Sequence, residues 1–263
     1  MNEFGKEAIL FLQEVPYSWA ALLFLMENLL IFSGSVYIGH LLTKYYRDRR
    51  VVPNPPQIES KEILFAVSTL LLNTLVTLSG LWLWRIGLIR FRTDWGLYAF
   101  LDVVFLFFVM DALMYALHRI AHISWVYPLV HKTHHNYENP RPLTLFVLNP
   151  FEALGFGALW LLVLCLYDSS WIGMSVYLVL NVVFGTLGHL GVEPFPKSWL
   201  KIPILRFFTT SSFHAQHHIW VSYNFGFYTL VWDCIFRTLS PDYEESFGKV
   251  PTRGEGKEIP PKE

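Results

Sequence analysis

Long apolar runs separated by short polar segments set the pattern of this chain. The first run extends from about Tyr17 to Leu42 and the second from about Ile63 to Trp84. Each meets the roughly 20 residues that a helix needs to cross the hydrocarbon of a bilayer. A third covers about Leu97 to Leu117. Two more, Phe151 to Tyr167 and Trp171 to Leu187, are separated only by Asp168-Ser169-Ser170, a spacing that predicts a tight helical hairpin. Its first arm lies near the short limit for a span, so the hairpin either crosses fully or dips in and returns. The pattern predicts an all-α polytopic membrane bundle of four to five transmembrane helices.

Composition agrees with that reading. Of the 263 residues 53% are hydrophobic and 16% charged, against roughly 25% charged in a soluble domain, and the mean hydropathy is +0.37. The net charge of -1 offers no cationic field for nucleic acid. Two cysteines, Cys165 and Cys234, supply neither a disulfide framework nor a cysteine zinc site. The N-terminus is acidic and has no small-residue cleavage site, so the first span is expected to be retained. With residues 1–16 outside, the outer segments hold Lys6, Arg85, Arg90 and Arg92 and the inner segments the other 16 of the 20 basic residues. Cytoplasmic loops carry the basic excess, and Lys44, Arg47, Arg49 and Arg50 follow the first span directly. Residues 1–96 read as N-terminal spans with a basic loop, 97–240 as a catalytic region and 241–263 as a flexible tail rich in charge and proline. Lys197, Lys201 and Arg206, interleaved with Trp199, Leu200, Ile202 and Phe207, suggest a segment lying on the inner membrane surface. Glu27-Asn28 within the first span suggests a polar contact inside the bundle or a cavity wall.

Histidine changes the picture. Eight of the ten histidines fall in three groups: His118-x3-His122, His131-x2-His134-His135 and His214-x2-His217-His218. Residues three or four apart share a helical face, so each group presents paired imidazoles, and all three lie at or beyond the inner ends of spans. Neutral imidazole suits iron, zinc, copper and nickel. So many exceed what one ion can coordinate, which implies two metal ions. Asp111 and Tyr115 stand on the same helical stripe as His118 and His122, where the carboxylate could accept a ring N–H of a liganding histidine from another helix. His40 lies outside any group and reads as an interfacial side chain.

Taken together, Asp111-x3-Tyr115-x2-His118-Arg119-x2-His122, His131-Lys132-x-His134-His135, Asn149-Pro150-x-Glu152, and Phe213-His214-x2-His217-His218 with Asn224-Phe225-Gly226 and Trp232-Asp233 resemble the fatty acid hydroxylase and sterol desaturase superfamily over about residues 97 to 240. The chain departs from the resemblance at Arg237-Thr238, where members commonly carry glycine before threonine. The resemblance implies an integral-membrane non-haem diiron enzyme that hydroxylates or desaturates a lipid with O2 and electrons. It also makes His189, in Gly188-His189-Leu190-Gly191, a ninth ligand. No region resembles a fused haem domain, so a separate donor of cytochrome or ferredoxin type, with its reductase, is expected. The expected membrane is that of the endoplasmic reticulum or the bacterial inner membrane, with the histidines on the cytosolic side. A metal-ion transporter fits less well, because transport sites lie near the bilayer midplane. A zinc hydrolase lacks its His-Glu-x2-His glutamate here.

Overall fold

Local signals fix where the long helices begin and end. In the computed structural model, which describes residues 3–250, helix α1 (Glu3–Glu14) runs into Pro16, and α2 (Tyr17–Tyr45) follows at once. Prolines 53, 55 and 56 keep the next segment extended before α3 (Ser60–Arg85). Gly87 and Gly96, both with positive φ, close α3 and open α4 (Leu97–Ala121). Two one-turn helices, α5 (Tyr127–Val130) and α6 (Lys132–His135), follow. The Asn149 side chain caps α7 (Pro150–Leu166) through Phe151 N at 2.9 Å, and Ser170 caps α8 (Trp171–Gly188) through Gly173 N at 3.0 Å. Three short helices complete the order: α9 (Ser211–Ile219), α10 (Val231–Ile235) and α11 (Tyr243–Ser246).

Four helices, α2, α3, α4 and α8, are long and apolar enough to cross a membrane. At 17 residues α7 is shorter; about 25 Å of helix falls below the roughly 30 Å hydrocarbon thickness. The predicted spans therefore match helices within a few residues at each end, but the predicted hairpin does not form as a packed pair. Helix α7 packs mainly along α3, whereas α8 packs mainly along α4, and α4 also touches α7. The arms meet where Trp160 stacks on Tyr177, ring centroids 4.9 Å apart. Leu106, Phe107, Met110 and Met114 of α4 fill the space between them with Val163, Tyr177 and Tyr228. A four-residue link fixes neighbourhood in sequence, but the apolar faces decide which helix each arm buries.

The three arginines that the predicted topology sets apart from the basic excess are all engaged. Arg85 donates to the carbonyls of Leu12 and Val15, which end α1. Arg90 pairs with Asp168 at 3.4 Å, and Arg92 binds both oxygens of buried Asp102 at 2.9 Å. Glu27 is exposed on α2, while Asn28 Nδ2 donates to Phe24 O on its own helix. The flexible-tail reading fails over its first ten residues. Tyr243 and Phe247 are 2% and 3% exposed and pack on Phe213 and Leu230, because the aromatic pair reaches an apolar face of α9. Residues 251–263 lie outside the described part.

Candidate metal centre

Four parts of the fold bring the histidines together. His118 sits in the last turns of α4 and His122 ends it; His131, His134 and His135 lie on or beside α6. His189 ends α8, and His214, His217 and His218 lie on α9. All nine converge into two groups: His118, His122, His131, His135 and His217 in one, and His134, His189, His214 and His218 in the other, with the ligand atoms of each group within 4.8 Å of one another. His40 is exposed and belongs to neither. The second and third motifs are divided between the groups, whereas His118 and His122 both fall in the group of five. Neighbouring helical residues point about 100° apart, so the pairs His134-His135 and His217-His218 each send one ring to either side.

Ring hydrogen bonds set the chemistry. Nδ1 of His118 lies 2.9 Å from Phe225 O, Nδ1 of His189 2.8 Å from Gly185 O, and Nδ1 of His217 2.6 Å from Tyr223 O. His134 Nδ1 faces Val147 O more loosely, at 3.4 Å, and His131 Nδ1 meets Glu152 Oε1 at 2.6 Å. A carbonyl oxygen only accepts, so Nδ1 carries the proton and a neutral ring keeps a lone pair on Nε2. The Nε2 atoms of these rings and of His135, His214 and His218 face one another: His118 to His131 at 2.9 Å, His135 to His217 at 3.0 Å, His134 to His189 at 3.3 Å, and His214 to His189 and to His218 at 3.1 Å. Where both rings of a facing pair hold Nδ1–H, as for His118 with His131 and His134 with His189, the Nε2 lone pairs repel unless a cation stands between them. His122 Nε2 is buried and has no hydrogen-bond partner. A donor set of convergent, neutral, buried imidazoles fits transition-metal ions in both groups.

Protonation cannot relieve that repulsion cheaply. Burial, reinforced by the other imidazoles, holds His122, His131, His135, His214 and His218 well below the ordinary histidine range. Burial lowers His189 to about 4, partly offset by its bond to Gly185 O.

The residues around the rings correct part of the sequence reading. Asp111 and Tyr115 bond no histidine among the described residues. Asp111 accepts from Tyr228 N at 2.9 Å, Thr229 N at 3.1 Å and the Thr229 hydroxyl, tying the loop after Gly226 to α4. The Tyr115 hydroxyl pairs with Thr238 Oγ1 at 2.9 Å. Asp111 lies about two turns before His118, and the Tyr115 hydroxyl, less than a turn away, is taken by Thr238, so sharing a helical stripe gave neither a ring to bond. The carboxylate–histidine pair is instead made by Glu152, buried in the first turn of α7. Its sequence signal was the acid three residues after Asn149. Glu193, fully buried, accepts from Ser212 N at 2.9 Å and so caps α9, the helix that bears three of the rings. The carbonyls that fix the tautomers have no side-chain signature.

The sequence model named fatty acid hydroxylase matches residues 103–238, about half the chain, which includes all nine histidines. The chain belongs to the fatty acid hydroxylase family. Within curated proteins, this family member is 29% identical to a lathosterol oxidase of Mus musculus over 187 residues, covering 67% of this chain and 59% of the relative. It is 32% identical to a methylsterol monooxygenase of Arabidopsis thaliana over 117 residues, 44% of this chain and 43% of the relative. A very-long-chain aldehyde decarbonylase of Oryza sativa subsp. indica shares the same identity over 117 residues, again 44% and 43%. The fatty acid hydroxylase chain thus aligns with less than two thirds of each of these relatives. No solved structure matches it.

Proposed function

We propose that this chain is a membrane-bound oxidoreductase that hydroxylates or desaturates a lipid, using O2 and electrons from a separate donor at two non-haem irons. One observation carries the reading: nine imidazoles in groups of five and four, seven of them buried, with Nε2 atoms facing one another inside each group. His118, His122, His131, His135 and His217 would hold one iron, and His134, His189, His214 and His218 the other. Bound iron would supply reductive activation of O2 and removal of hydrogen from an unactivated C–H bond.

The chain's own residues prepare the site. Carbonyl oxygens of residues 147, 185, 223 and 225 hold ring protons on Nδ1, and Glu152 does the same for His131. Neutral ligands leave the metal charge undiminished for an oxygen-derived anion. Burial of the rings excludes bulk water, which favours oxidation of an apolar substrate over side reactions. The relatives' names point to sterols and very-long-chain aldehydes, so a sterol or long-chain lipid drawn from the bilayer is the substrate class. The inner basic excess supports a cytosolic histidine face, within reach of a cytochrome- or ferredoxin-type donor and its reductase. The test is anaerobic purification and iron analysis, followed by O2, a reductant and a lipid extract read by mass spectrometry. About two irons per chain and a lipid gaining oxygen or losing two hydrogens are expected. A folded chain that binds no iron and changes no lipid overturns the reading.

A further inference from the structure

Two of the five imidazoles in the larger group take their Nδ1 acceptors from one short loop. Tyr223 O meets His217 and Phe225 O meets His118, and the two rings lie 4.5 Å apart. In an extended strand, carbonyls two residues apart are separated by about 6.8 Å. Asn224, between them, is left-handed (φ 61°) and breaks that extension. The turn is held from both sides. Asn224 is fully buried and uses its whole amide: Nδ2 donates to Phe213 O at 3.0 Å and Gln216 Oε1 at 3.3 Å, and Oδ1 accepts from Ser240 N at 2.8 Å. Asp233, equally buried, accepts from Phe225 N and Gly226 N at 2.8 Å each and from Thr238 Oγ1 at 2.6 Å. A side chain at Gly226 would strike Thr229 O and Asp233 Oδ2, so only glycine admits this grip. Because the Thr238 hydroxyl donates to Asp233, it accepts from Tyr115, which joins the clamp to α4 three residues before His118.

The smaller group has no such loop. His189 uses Gly185 O of its own helix, and His134 uses Val147 O. We propose that Asp233 and Asn224 are positioning residues for the five-histidine group: through the turn at 223–226 they aim two carbonyls at His118 and His217, fixing both rings as Nδ1–H tautomers whose Nε2 atoms face the metal. The metal part of this inference rests on the function proposed above; the tautomer part does not.

The experiment uses the full chain in lipid nanodiscs, metal-free, with 15N-labelled histidine, and reads the protonated nitrogen of each ring by NMR. Single His→Gln variants assign the signals. Wild type is expected to show Nδ1–H at His118 and His217. Asp233→Asn and, independently, Asn224→Gly, which keeps the left-handed turn, are expected to convert both rings to mixed tautomers while His189 keeps its own. Asp111→Asn, which unties the same loop only at 228–229, leaves both rings unchanged. In iron titrations the two clamp variants bind roughly 10- to 100-fold more weakly at one of two sites. Unchanged tautomers in both clamp variants, an equal shift at His189, or the same shift in Asp111→Asn overturns the proposal. A wild-type chain that shows the tautomers but holds fewer than two irons overturns the diiron reading and leaves the clamp standing.

Discussion

An imidazole whose Nδ1 proton is committed to an oxygen has one lone pair left to offer, and here the offers converge. Each ring therefore matters to one group and less to the other. His217→Ala removes a ligand of the five-histidine group, and His134→Ala one of the four-histidine group. Each is expected to abolish lipid oxidation and to lower iron content, with the loss confined to the group that was cut; iron analysis with Mössbauer spectra of the two sites checks this. Glu152 acts one step further out. Glu152→Gln keeps an acceptor for His131 Nδ1 but removes the ionisable carboxyl, and a partner of this kind typically changes metal affinity 10- to 100-fold. Competitive chelator titration reads the change, which is expected to be larger for Glu152→Ala. Acid gives a further expectation. A free histidine takes a proton near 6.5, but burial lowers His189 to about 4 and holds the other rings outside the spans below their usual range. Protons therefore compete poorly for Nε2 until the pH falls well under 6.5. Bound metal is expected to stay through pH 6 and to leave towards pH 4, measured by metal analysis after gel filtration at each pH.

Between residues and the molecule stand the elements, and here sequence and structure part in instructive ways. Spans were legible because a bilayer imposes length: Leu97 to Leu117 read as apolar, and α4 runs from Leu97 to Ala121. The histidine motifs were legible because helical spacing puts liganding rings on one face. Their division into groups was not, since it depends on how α6 and α9 meet across 80 residues of sequence. Nor was the placement of Asp233, which accepts from two backbone N–H groups that any sequence would possess as well as from the Thr238 hydroxyl. The C-terminal segment was misread for a related reason. Charge and proline dominate it, but two aromatic residues decide its docking: Tyr243 and Phe247 enter the cluster formed by Phe213 and Leu230. Phe213 precedes His214 on α9, so this docking supports the metal end from behind. Phe247→Ala is expected to cost about 3 kcal/mol, as for other buried phenylalanines. Thermal unfolding in nanodiscs measures it, and the four-histidine group is expected to lose metal first as the temperature rises.

At the scale of the whole molecule, the two ends of the bundle are held by different forces. Away from the histidines, α2 and α3 pack together, and Arg85 and Arg92 bind carbonyls and Asp102. None of this depends on a metal. The histidine end is assembled from the ends of α4 and α8, the short helices α5 and α6, and α9, with nine rings converging and facing lone pairs in at least the His118–His131 and His134–His189 pairs. A cation there acts as a cross-link between segments far apart in sequence, and binding to the folded state alone stabilises by about 4 kcal/mol at a thousandfold excess over Kd. Removing it restores the repulsion where the structure has least regular helix to resist. Hydrogen exchange on metal-loaded and chelated chains is thus expected to differ by region: residues 122–150 and 189–247 exchange faster without metal, while α2 and α3 keep their protection. Uniform loosening of all helices would place the metal's stabilising effect in the entire bundle, and no change would mean that the rings are held apart by packing alone. Regional loss follows if the metal end is a separate cooperative unit built on a bundle that folds without it.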